Sequence, residues 1–245
     1  MACNDIISQK NDWDYFDRIY CITLAERIDR RRQAEFEFQK VGLDGRVSFV
    51  TVHRHPSNSE QGIYESHISC LRQGLSHGAR TILVFEDDVV FDRFSSKKLK
   101  ACIAFLSQEA NWKAFFFGCL VKSSRKTAFP DIVAIVYRCM AHAYVLKDDF
   151  ARQLVNQPWQ GVPFDAMLSR LQEDYYAVYP AFAFQSDSGT DNAQHRGLDR
   201  FRRWCGGMQR IQKANEWTRR HIKLIVVSHI IGVAGIIGLV WLLIR

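Results

Sequence analysis

The stretch Thr81-Ile82-Leu83-Val84-Phe85-Glu86-Asp87-Asp88 carries the strongest indication of the fold. Its first five residues form an unbroken apolar run, and the run ends abruptly in three carboxylates. Unbroken apolar runs are typical of strands that helices cover on both faces of a parallel sheet. Ligands of such sheets bind outside the carboxyl ends of the strands. The stretch therefore predicts a buried strand that delivers acidic side chains to a ligand-binding edge.

Strand and helix patterns alternate on both sides of this stretch. Apolar or β-branched runs predict strands at 19–24, 47–52, 81–85, 113–120, 132–137, 143–146 and 175–179. Helical spacing predicts helices at 26–41, 66–75, 96–106, 148–156 and 164–171, with Asp29 and Ser96 as N-caps. This alternation predicts one α/β domain over residues 1–195, with a mostly parallel, Rossmann-like sheet and helices on both faces.

The acidic run itself suggests metal chemistry. Side chains alternate along a strand, so Glu86 and Asp88 project to one side and Asp87 to the other. Two carboxylates at a ligand-binding edge suit a hard divalent cation that also binds phosphate oxygens. Such a cation would neutralise the charge that develops on a phosphate leaving group. The alternative is a solvated acidic turn, and the position directly after Phe85 leaves both interpretations open.

Composition and charge narrow the class of protein. The 245 residues are 47% hydrophobic and 24% charged, which excludes a disordered or collagenous chain. The seven cysteines include no C-x-x-C pair and predict reduced thiols. The net charge is +7, but residues 196–223 hold nine Lys or Arg against Asp199 and Glu216. The remaining body is almost neutral, so no nucleic-acid-binding surface is indicated.

Residues 224–244 predict a transmembrane helix. These 21 residues carry no formal charge, and at about 1.5 Å per residue a helix of that length spans the roughly 30 Å of a bilayer's hydrocarbon. Arg219, Arg220 and Lys223 precede the segment and only Arg245 follows, so the positive-inside rule places the body in the cytosol. With no signal peptide at residues 1–5, the expectation is a single-pass C-terminal anchor, most naturally in a bacterial inner membrane. A buried core helix is the alternative.

Residues 196–223 predict a basic amphipathic juxtamembrane segment. Apolar residues recur there among arginines, which suits the surface of an anionic bilayer. The alternative is a helix packed on the body, and Gly206-Gly207 argues against one continuous helix. Small residues in the apolar segment (Ser228, Gly232, Gly235 and Gly238) would allow a homodimer.

Six segments follow one another in chain order over about residues 18–190: Ile22-Thr23-Leu24 with Arg27 and Asp29-Arg30-Arg31, Gly62 with Glu65-Ser66-His67, Leu83 to Val89 with its Glu-Asp-Asp, Ala141 to Leu146, Pro163-Phe164-Asp165, and Gln185 with Ser186-Asp187. Together these segments resemble glycosyltransferase family 25, which includes lipooligosaccharide and collagen galactosyltransferases. Two stretches depart from the family pattern: Ile63-Tyr64-Glu65 and His53-Arg54-His55-Pro56. The first departure puts the acceptor or sugar preference in doubt more than the class.

The resemblance implies a GT-A type fold, a UDP-sugar donor (UDP-galactose or UDP-glucose first), Mn²⁺ or Mg²⁺, and inversion at the anomeric carbon. It implies that Asp88 and Glu86 hold the metal, and His142, at a strand start near the same site, would complete the metal shell or contact the sugar. It makes Asp165 the first candidate for the general base and Asp187 the second. The expected donor-binding residues are Thr23, Leu24, Arg27, Arg30, Arg31, Ser66, His67, Glu86 and Asp87. Purely structural roles are open alternatives: a helix N-cap for Asp165, a hydrogen-bonded core position for His67, and a solvated helix face for Arg30 and Arg31.

The expected function is therefore that of a membrane-anchored inverting glycosyltransferase. It would move a hexose from a UDP-sugar to a glycan or lipid-linked acceptor of the lipooligosaccharide kind. Two alternatives belong to other classes: a catalytically silent, membrane-tethered binding or scaffold protein with the same fold, and a metal-dependent phosphohydrolase.

Overall fold

The computed structural model of the protein describes residues 11–186 and 206–244. Its ten strands are β1 (Arg18–Leu24), β2 (Ser48–Val52), β3 (Thr81–Glu86), β4 (Val89–Phe91), β5 (Ala114–Phe116), β6 (Leu120–Lys126), β7 (Ile132–Cys139), β8 (Ala143–Lys147), β9 (Tyr175–Val178) and β10 (Ala183–Gln185). Its helices are α1 (Ile28–Lys40), α2 (Ser59–Ser76), α3 (Ser96–Gln108), α4 (Asp148–Val155), α5 (Phe164–Leu171) and α6 (Met208–Ile244), preceded by a 3-10 turn, Asp12–Tyr15.

Eight strands form the central sheet in the order β2-β1-β3-β8-β5-β9-β7-β6, and β4 pairs with β10 beside it. The pairings show two strand directions in this sheet. Two strands, β7 and β8, point opposite to the other six, which are β1, β2, β3, β5, β6 and β9. The predicted mostly parallel α/β sheet is therefore confirmed. The carboxyl ends of β1, β3, β5 and β9 lie at one edge, and this carboxyl edge carries the acidic run.

Both faces of the sheet are covered, as the unbroken apolar runs predict. On one face Leu83 and Phe85 of β3 share a core with α1 and α3. On the other face Ile82 and Val84 share a core with α2, α4 and α5. All four side chains have no exposed surface, because strand side chains alternate between two buried layers.

The sequence patterns were wrong about several boundaries. The predicted strand at 113–120 is two strands, because the chain turns at Phe117 to Cys119 and starts β6 at Leu120. The short strands β4 and β10 and most of β6 were missed. Three residues are too few to show a period, and the β4–β10 pairing joins segments far apart in the chain.

Helix starts were also misplaced, and the caps explain why. Asn58 caps α2 by accepting from the N–H groups of Glu60 and Gln61, so this helix begins seven residues before the predicted start. Ser95, not Ser96, caps α3. Arg27 stands at the N-cap of α1, and the expected cap Asp29 lies in the first turn, paired with Arg27.

Helix α6 is continuous from Met208, directly after Gly206 and Gly207, which have positive φ angles of 86° and 88°. Its first turns pack on the body: Gln212 is 1% exposed and Asn215 bonds both the N–H and the C=O of Val121. Residues 208–220 therefore form a helix that packs on the body and does not lie free on a bilayer surface.

The apolar part of α6 is long enough to cross a membrane, and none of its described side chains is buried. Residues 187–205, including Asp187 and much of the predicted basic segment, lie outside the described part of the chain.

Candidate active site

The three consecutive carboxylates lie at the carboxyl edge, held by the backbone of both neighbouring strands. The Asp87 N–H donates to the carbonyl of Ile22 in β1 at 3.1 Å, and the Glu86 N–H donates to the carbonyl of His142 before β8 at 3.0 Å. The adjacent strands therefore fix the acidic run on both sides.

Asp87 is tied into the structure. The Thr23 hydroxyl donates to its Oδ2 at 2.8 Å, and Arg30 Nη1 lies 3.4 Å from its Oδ1. Burial raises the pKa of Asp87, while the hydrogen bond from Thr23 and the charge of Arg30 oppose that rise. The described contacts of Asp87 are structural, because they link β1, β3 and α1. The Thr23 hydroxyl is likewise occupied, since it donates to the Asp87 carboxylate.

Glu86 and Asp88 meet at one amide. Gln185 Nε2 at the end of β10 donates to Asp88 Oδ2 at 3.0 Å and to Glu86 Oε2 at 3.4 Å. Arg30 Nη1 lies 3.7 Å from Asp88 Oδ2. Burial raises the pKa of both carboxyls. The charge of Glu86 raises the pKa of Asp88 further, and the charges of Asp165 and Asp87 raise the pKa of Glu86 further. Burial therefore disfavours the ionised form of both carboxyls unless a cation compensates their charge.

Asp88 also keeps one acceptor free. Its Oδ1 is buried and has no hydrogen-bond partner among the described residues. An unsatisfied buried carboxylate oxygen is costly and requires an explanation. A carboxylate oxygen beside a second carboxylate is the donor set of Mg²⁺ or Mn²⁺, so Glu86 and Asp88 fit the divalent cation that the resemblance implies.

The third predicted metal ligand, His142, is placed differently. Its ring is fully buried, and neither ring nitrogen is hydrogen-bonded within the described chain. Burial lowers its pKa to about 4. In residues 11–186 and 206–244, no group of three or more His, Cys, Asp or Glu side chains is close enough to hold a metal ion. The structure therefore gathers two of the three predicted ligands, and a metal role for His142 stays a prediction.

His67 on α2 connects Glu86 to the core that α2, α4 and α5 share with the sheet. Its Nε2 lies 3.3 Å from Glu86 Oε1, its Nδ1 lies 2.9 Å from the Tyr144 hydroxyl, and its ring stacks on Phe164 at 4.3 Å. Burial lowers its pKa to about 4, so the imidazole is neutral at pH 7. The neutral ring orients Glu86 without compensating its charge.

Asp165, the first candidate base, is engaged in three hydrogen bonds. The Tyr137 hydroxyl donates to its Oδ1, and the N–H groups of Ala141 and Met140 donate to its two oxygens at 3.0 Å. Met140 has a positive φ of 80°, which is unfavourable for a residue with a side chain. Asp165 thus holds the strained turn before His142. This environment favours a positioning role, and proton transfer by Asp165 stays a prediction.

The remaining predicted donor-binding residues lie around or away from the acids. Leu24 ends β1 at the carboxyl edge. Arg27 pairs with Asp29 at 2.8 Å, and Arg31 pairs with Glu35 and covers the Phe49 ring, so Arg31 points away from the acids. The Ser66 hydroxyl donates to the Gly62 carbonyl within α2. Of the whole set, the structure brings Thr23, Arg30, His67, Glu86 and Asp87 together.

Three side chains of the site were not predicted: Gln185, Tyr137 and Tyr144. Gln185 was visible only as part of a segment that resembles the family, because its contact with Asp88 spans 97 positions in the chain. The two tyrosines belong to strands whose patterns predict only burial. Tyr144 also lies in a segment that resembles the family, Ala141 to Leu146, whereas Tyr137 does not.

Fold and site together define an α/β protein with an acidic pair at the carboxyl edge of its sheet. No protein-family model matches the chain. The chain is similar to curated proteins of glycosyltransferase family 25, which confirms the resemblance: it is 26% identical over 185 residues to the human "Inactive glycosyltransferase 25 family member 3" and 27% identical over 200 residues to the mouse protein of that name. These matches cover 62% and 67% of the chain. The chain spans about a third of those relatives, 31% of the human and 34% of the mouse protein.

Solved structures with related folds have much lower identity. A glycosyltransferase involved in the glycosylation of the major capsid of PBCV-1 is 13% identical, with a TM-score of 0.42, covering 75% of this chain and 99% of that one. The mannose-1-phosphate geranyltransferase of Thermus thermophilus is 9% identical, with a TM-score of 0.43, covering 67% and 74%. Both TM-scores lie below 0.5, and neither bears on activity.

Proposed function

We propose that the protein is a metal-dependent, inverting glycosyltransferase that moves a hexose, galactose or glucose first, from a UDP-sugar to a glycan or lipid-linked acceptor. The support is the glycosyltransferase-like fold together with the similarity to family 25 proteins. The observation that carries the proposal is the pair Glu86 and Asp88, joined by Gln185 at the carboxyl edge, with Asp88 Oδ1 free.

In this mechanism Glu86 and Asp88 would hold Mn²⁺ or Mg²⁺, and such a cation offsets the charge that develops on the leaving diphosphate. Gln185 keeps the two carboxylates together, and His67 fixes the orientation of Glu86. Arg30, 12% exposed as a side chain, contributes a fixed positive charge beside Asp87 and Asp88. Asp165 and Tyr137 hold the turn that leads to His142.

Inversion by single displacement needs a base that removes the proton of the acceptor hydroxyl. Asp165 already accepts three hydrogen bonds, so the second candidate, Asp187, becomes the stronger one. Asp187 is the next residue in the sequence after Ser186, whose N–H donates to the Asp88 carbonyl at 2.7 Å.

A second candidate function, a catalytically silent binding or scaffold protein, is favoured by two observations. The relatives are named inactive. Arg30 also lies within 4 Å of Asp87 and Asp88, which gives the acids a partner from the protein itself. The phosphohydrolase alternative has no support beyond the acidic edge.

A donor screen on the full-length protein in detergent tests the proposal. The protein is incubated with a panel of UDP-sugars, with Mn²⁺, Mg²⁺ or chelator, and UDP release and thermal stabilisation are followed. Metal-dependent UDP release from one sugar, lost in Asp88→Asn and kept in the exposed-site control Asp44→Asn, supports the transferase. A folded protein that binds no nucleotide with any metal favours the silent protein instead.

We also infer that the apolar part of α6 anchors the protein in a membrane, with the body on the cytosolic side of a bacterial inner membrane. The helix is long and apolar enough for this, and Arg219, Arg220 and Lys223 precede the apolar part. Deleting residues 222–245 should release the protein from membranes on fractionation. Binding that persists and falls with salt would assign attachment to the basic residues.

A further inference from the structure

Helix α6 is attached to the segment that leads to the acidic site. Gln212 Nε2 donates to the Ala183 carbonyl at 2.9 Å, and one turn later Glu216 Oε1 accepts from the Ala181 N–H at 2.6 Å. One further turn along, the Arg220 guanidinium lies over the Tyr179 ring, 5.4 Å from its centroid. The spacing of four residues puts all three contacts on one face of the helix. The helix therefore runs antiparallel to residues 179–185, in register with them.

That segment crosses the carboxyl edge from β9 to β3. Tyr179 follows the end of β9, the N–H groups of Phe182 and Ala183 donate to the Phe117 carbonyl just after β5, and Gln185 reaches Asp88. Because α6 runs in the opposite sense, its beginning lies closest to the acids. Each later residue of the helix lies farther from them.

The distance from the site to the apolar part of α6 follows from helix geometry. Twelve residues separate Gln212 from Leu224, where the uncharged run begins, which is about 18 Å along the helix axis. A membrane tilt as large as about 40° still leaves about 14 Å. The polar layer of a bilayer adds only about 5–8 Å on each side of the hydrocarbon. Gln212 therefore lies outside the headgroup layer, and Gln185 lies farther out still.

This separation is held by rigid elements. No glycine or proline interrupts the helix between Met208 and Ile231, so nothing in the sequence there favours a kink. Lys213 pairs with Asp92 at 2.6 Å, and Glu216 pairs with Arg93 at 2.9 Å. The docked turns and the apolar turns therefore move as one body.

We propose that α6 sets the height of the site above the bilayer and thereby restricts membrane-bound acceptors to lipids that carry an extended oligosaccharide. This inference rests on the proposed transferase function and on the membrane anchor. In the reaction the bond between the anomeric carbon and the UDP oxygen breaks, and the acceptor oxygen forms a bond to that carbon. The acceptor proton goes to the base, and UDP leaves. The acceptor hydroxyl must therefore reach the site, and a single sugar attached directly to a lipid headgroup stays in the polar layer, below it.

The test uses the full-length protein in vesicles, with acceptors that present one terminal glycan on lipids through spacers of increasing length. We expect the shortest spacer to react at least about tenfold more slowly than the best one, because a tether that cannot span the gap gives almost no effective concentration. The same glycan without a lipid serves as the control for catalysis. Equal rates at all spacer lengths would overturn the inference.

An insertion variant changes the height alone. Eleven residues of helical sequence placed between Arg220 and His221 add three turns, about 16 Å, and keep the face of the helix. The best spacer should become longer in this variant, while the rate with the soluble glycan stays unchanged. An unchanged optimum refutes the role of α6.

A third measurement separates this inference from the proposed function. Energy transfer to a membrane-surface dye is compared for fluorophores at Ala128, which lies in the β6–β7 turn beside Asp131 and Tyr179, and at Glu26, just past the end of β1. We expect transfer from Ala128 to exceed transfer from Glu26. Greater energy transfer from Ala128, together with no sugar transfer to any acceptor, would support the inferred height of the site above the bilayer and reject the transferase function. Equal energy transfer from the two positions would reject the inferred height of the site, whatever the activity.

Discussion

The substitution Gly118→Ala tests the most crowded backbone contact of the site. Gly118 lies in the turn between β5 and β6, and a Cβ built there would stand 1.8 Å from the Ala183 carbonyl oxygen and 2.7 Å from Gln212 Nε2. Real Cβ contacts do not fall below 3.0 Å. The strand that carries Gln185 must therefore retreat by about 1.2 Å, the difference between these two distances.

A retreat of that size has a calculable cost. The bond from Gln212 to the Ala183 carbonyl, 2.9 Å long, would stretch past the limit of a hydrogen bond. The two bonds from Phe182 and Ala183 to the Phe117 carbonyl start at 3.2 Å and have little slack. Overpacking and unsatisfied buried groups each cost about 1–3 kcal/mol, so the free energy of unfolding should fall by about 3–5 kcal/mol.

The assay is thermal unfolding of the full-length protein in detergent, with Gly45→Ala as the matched control. Gly45 has a positive φ of 67°, which Gly118 does not have, and a Cβ there meets nothing within 4 Å, so this control measures backbone strain without a clash. For a protein of this size the expected loss lowers Tm by roughly 6–20 °C, and UDP release should fall because Gln185 moves away from Asp88. A fall in Tm no larger than that of the control would refute the argument.

Three further substitutions probe separate contacts of the fold. Asp165→Asn leaves one of the backbone N–H groups before His142 without its acceptor, so we expect a loss of about 1–3 kcal/mol in urea unfolding, and an unchanged midpoint would contradict the positioning role. Glu216→Gln weakens the bonds to Ala181 and to Arg93, and hydrogen exchange should speed up at Ala181 first; exchange as slow as in the parent protein would count against the docking of α6. Trp13→Phe removes the buried bond from Nε1 to the Val41 carbonyl, 2.8 Å long, and should cost about 1–3 kcal/mol, whereas a neutral effect would mean that water replaces it.

The sequence was sufficient for the layers of the fold and insufficient for its short or long-range parts. The run Thr81 to Phe85 predicts burial on both faces because its apolar pattern is a local property, and the structure confirms it. The strands β4 and β10 have three residues each and exist through their mutual pairing. A pattern within one segment cannot reveal a partner about ninety residues away. The early start of α2 has a different cause, because the Asn58 cap that sets it is a local contact with the N–H groups of Glu60 and Gln61.

The residues of the candidate site also fall into a group that a local pattern predicts and a group that depends on long-range packing. Glu86 and Asp88 were predictable because a strand fixes their common side and the sheet fixes their edge. Gln185 and the three donors to Asp165 depend on how separate elements pack. The role of Asp165 shows the limit of motif reasoning, since a motif supplies an acid but says nothing about which hydrogen bonds it already accepts.

The charge balance of the acidic edge distinguishes an enzyme from a silent protein. When all three are ionised, Glu86, Asp87 and Asp88 bring three negative charges together, and Arg30 returns one positive charge. Burial lowers the pKa of His67 to about 4, so that ring adds no charge at pH 7. The remaining two negative charges equal the charge of one divalent cation. Without such a cation the site is a local strain on the fold, and the raised pKa values of Glu86 and Asp88 express it.

Asp88→Asn therefore has opposite effects on stability and on activity if the edge is a metal site. The amide keeps the shape of the side chain and removes one charge, so in chelator we expect a gain of about 1 kcal/mol and a Tm higher by about 2–4 °C. Mn²⁺ should stabilise the parent protein and the control Asp44→Asn, but not Asp88→Asn, because ligand binding raises stability only where the ligand binds. A lower Tm for Asp88→Asn in chelator would make Asp88 a structural partner of Arg30 and Gln185. In that case the edge is neutralised by the protein itself, and the silent function becomes the better account.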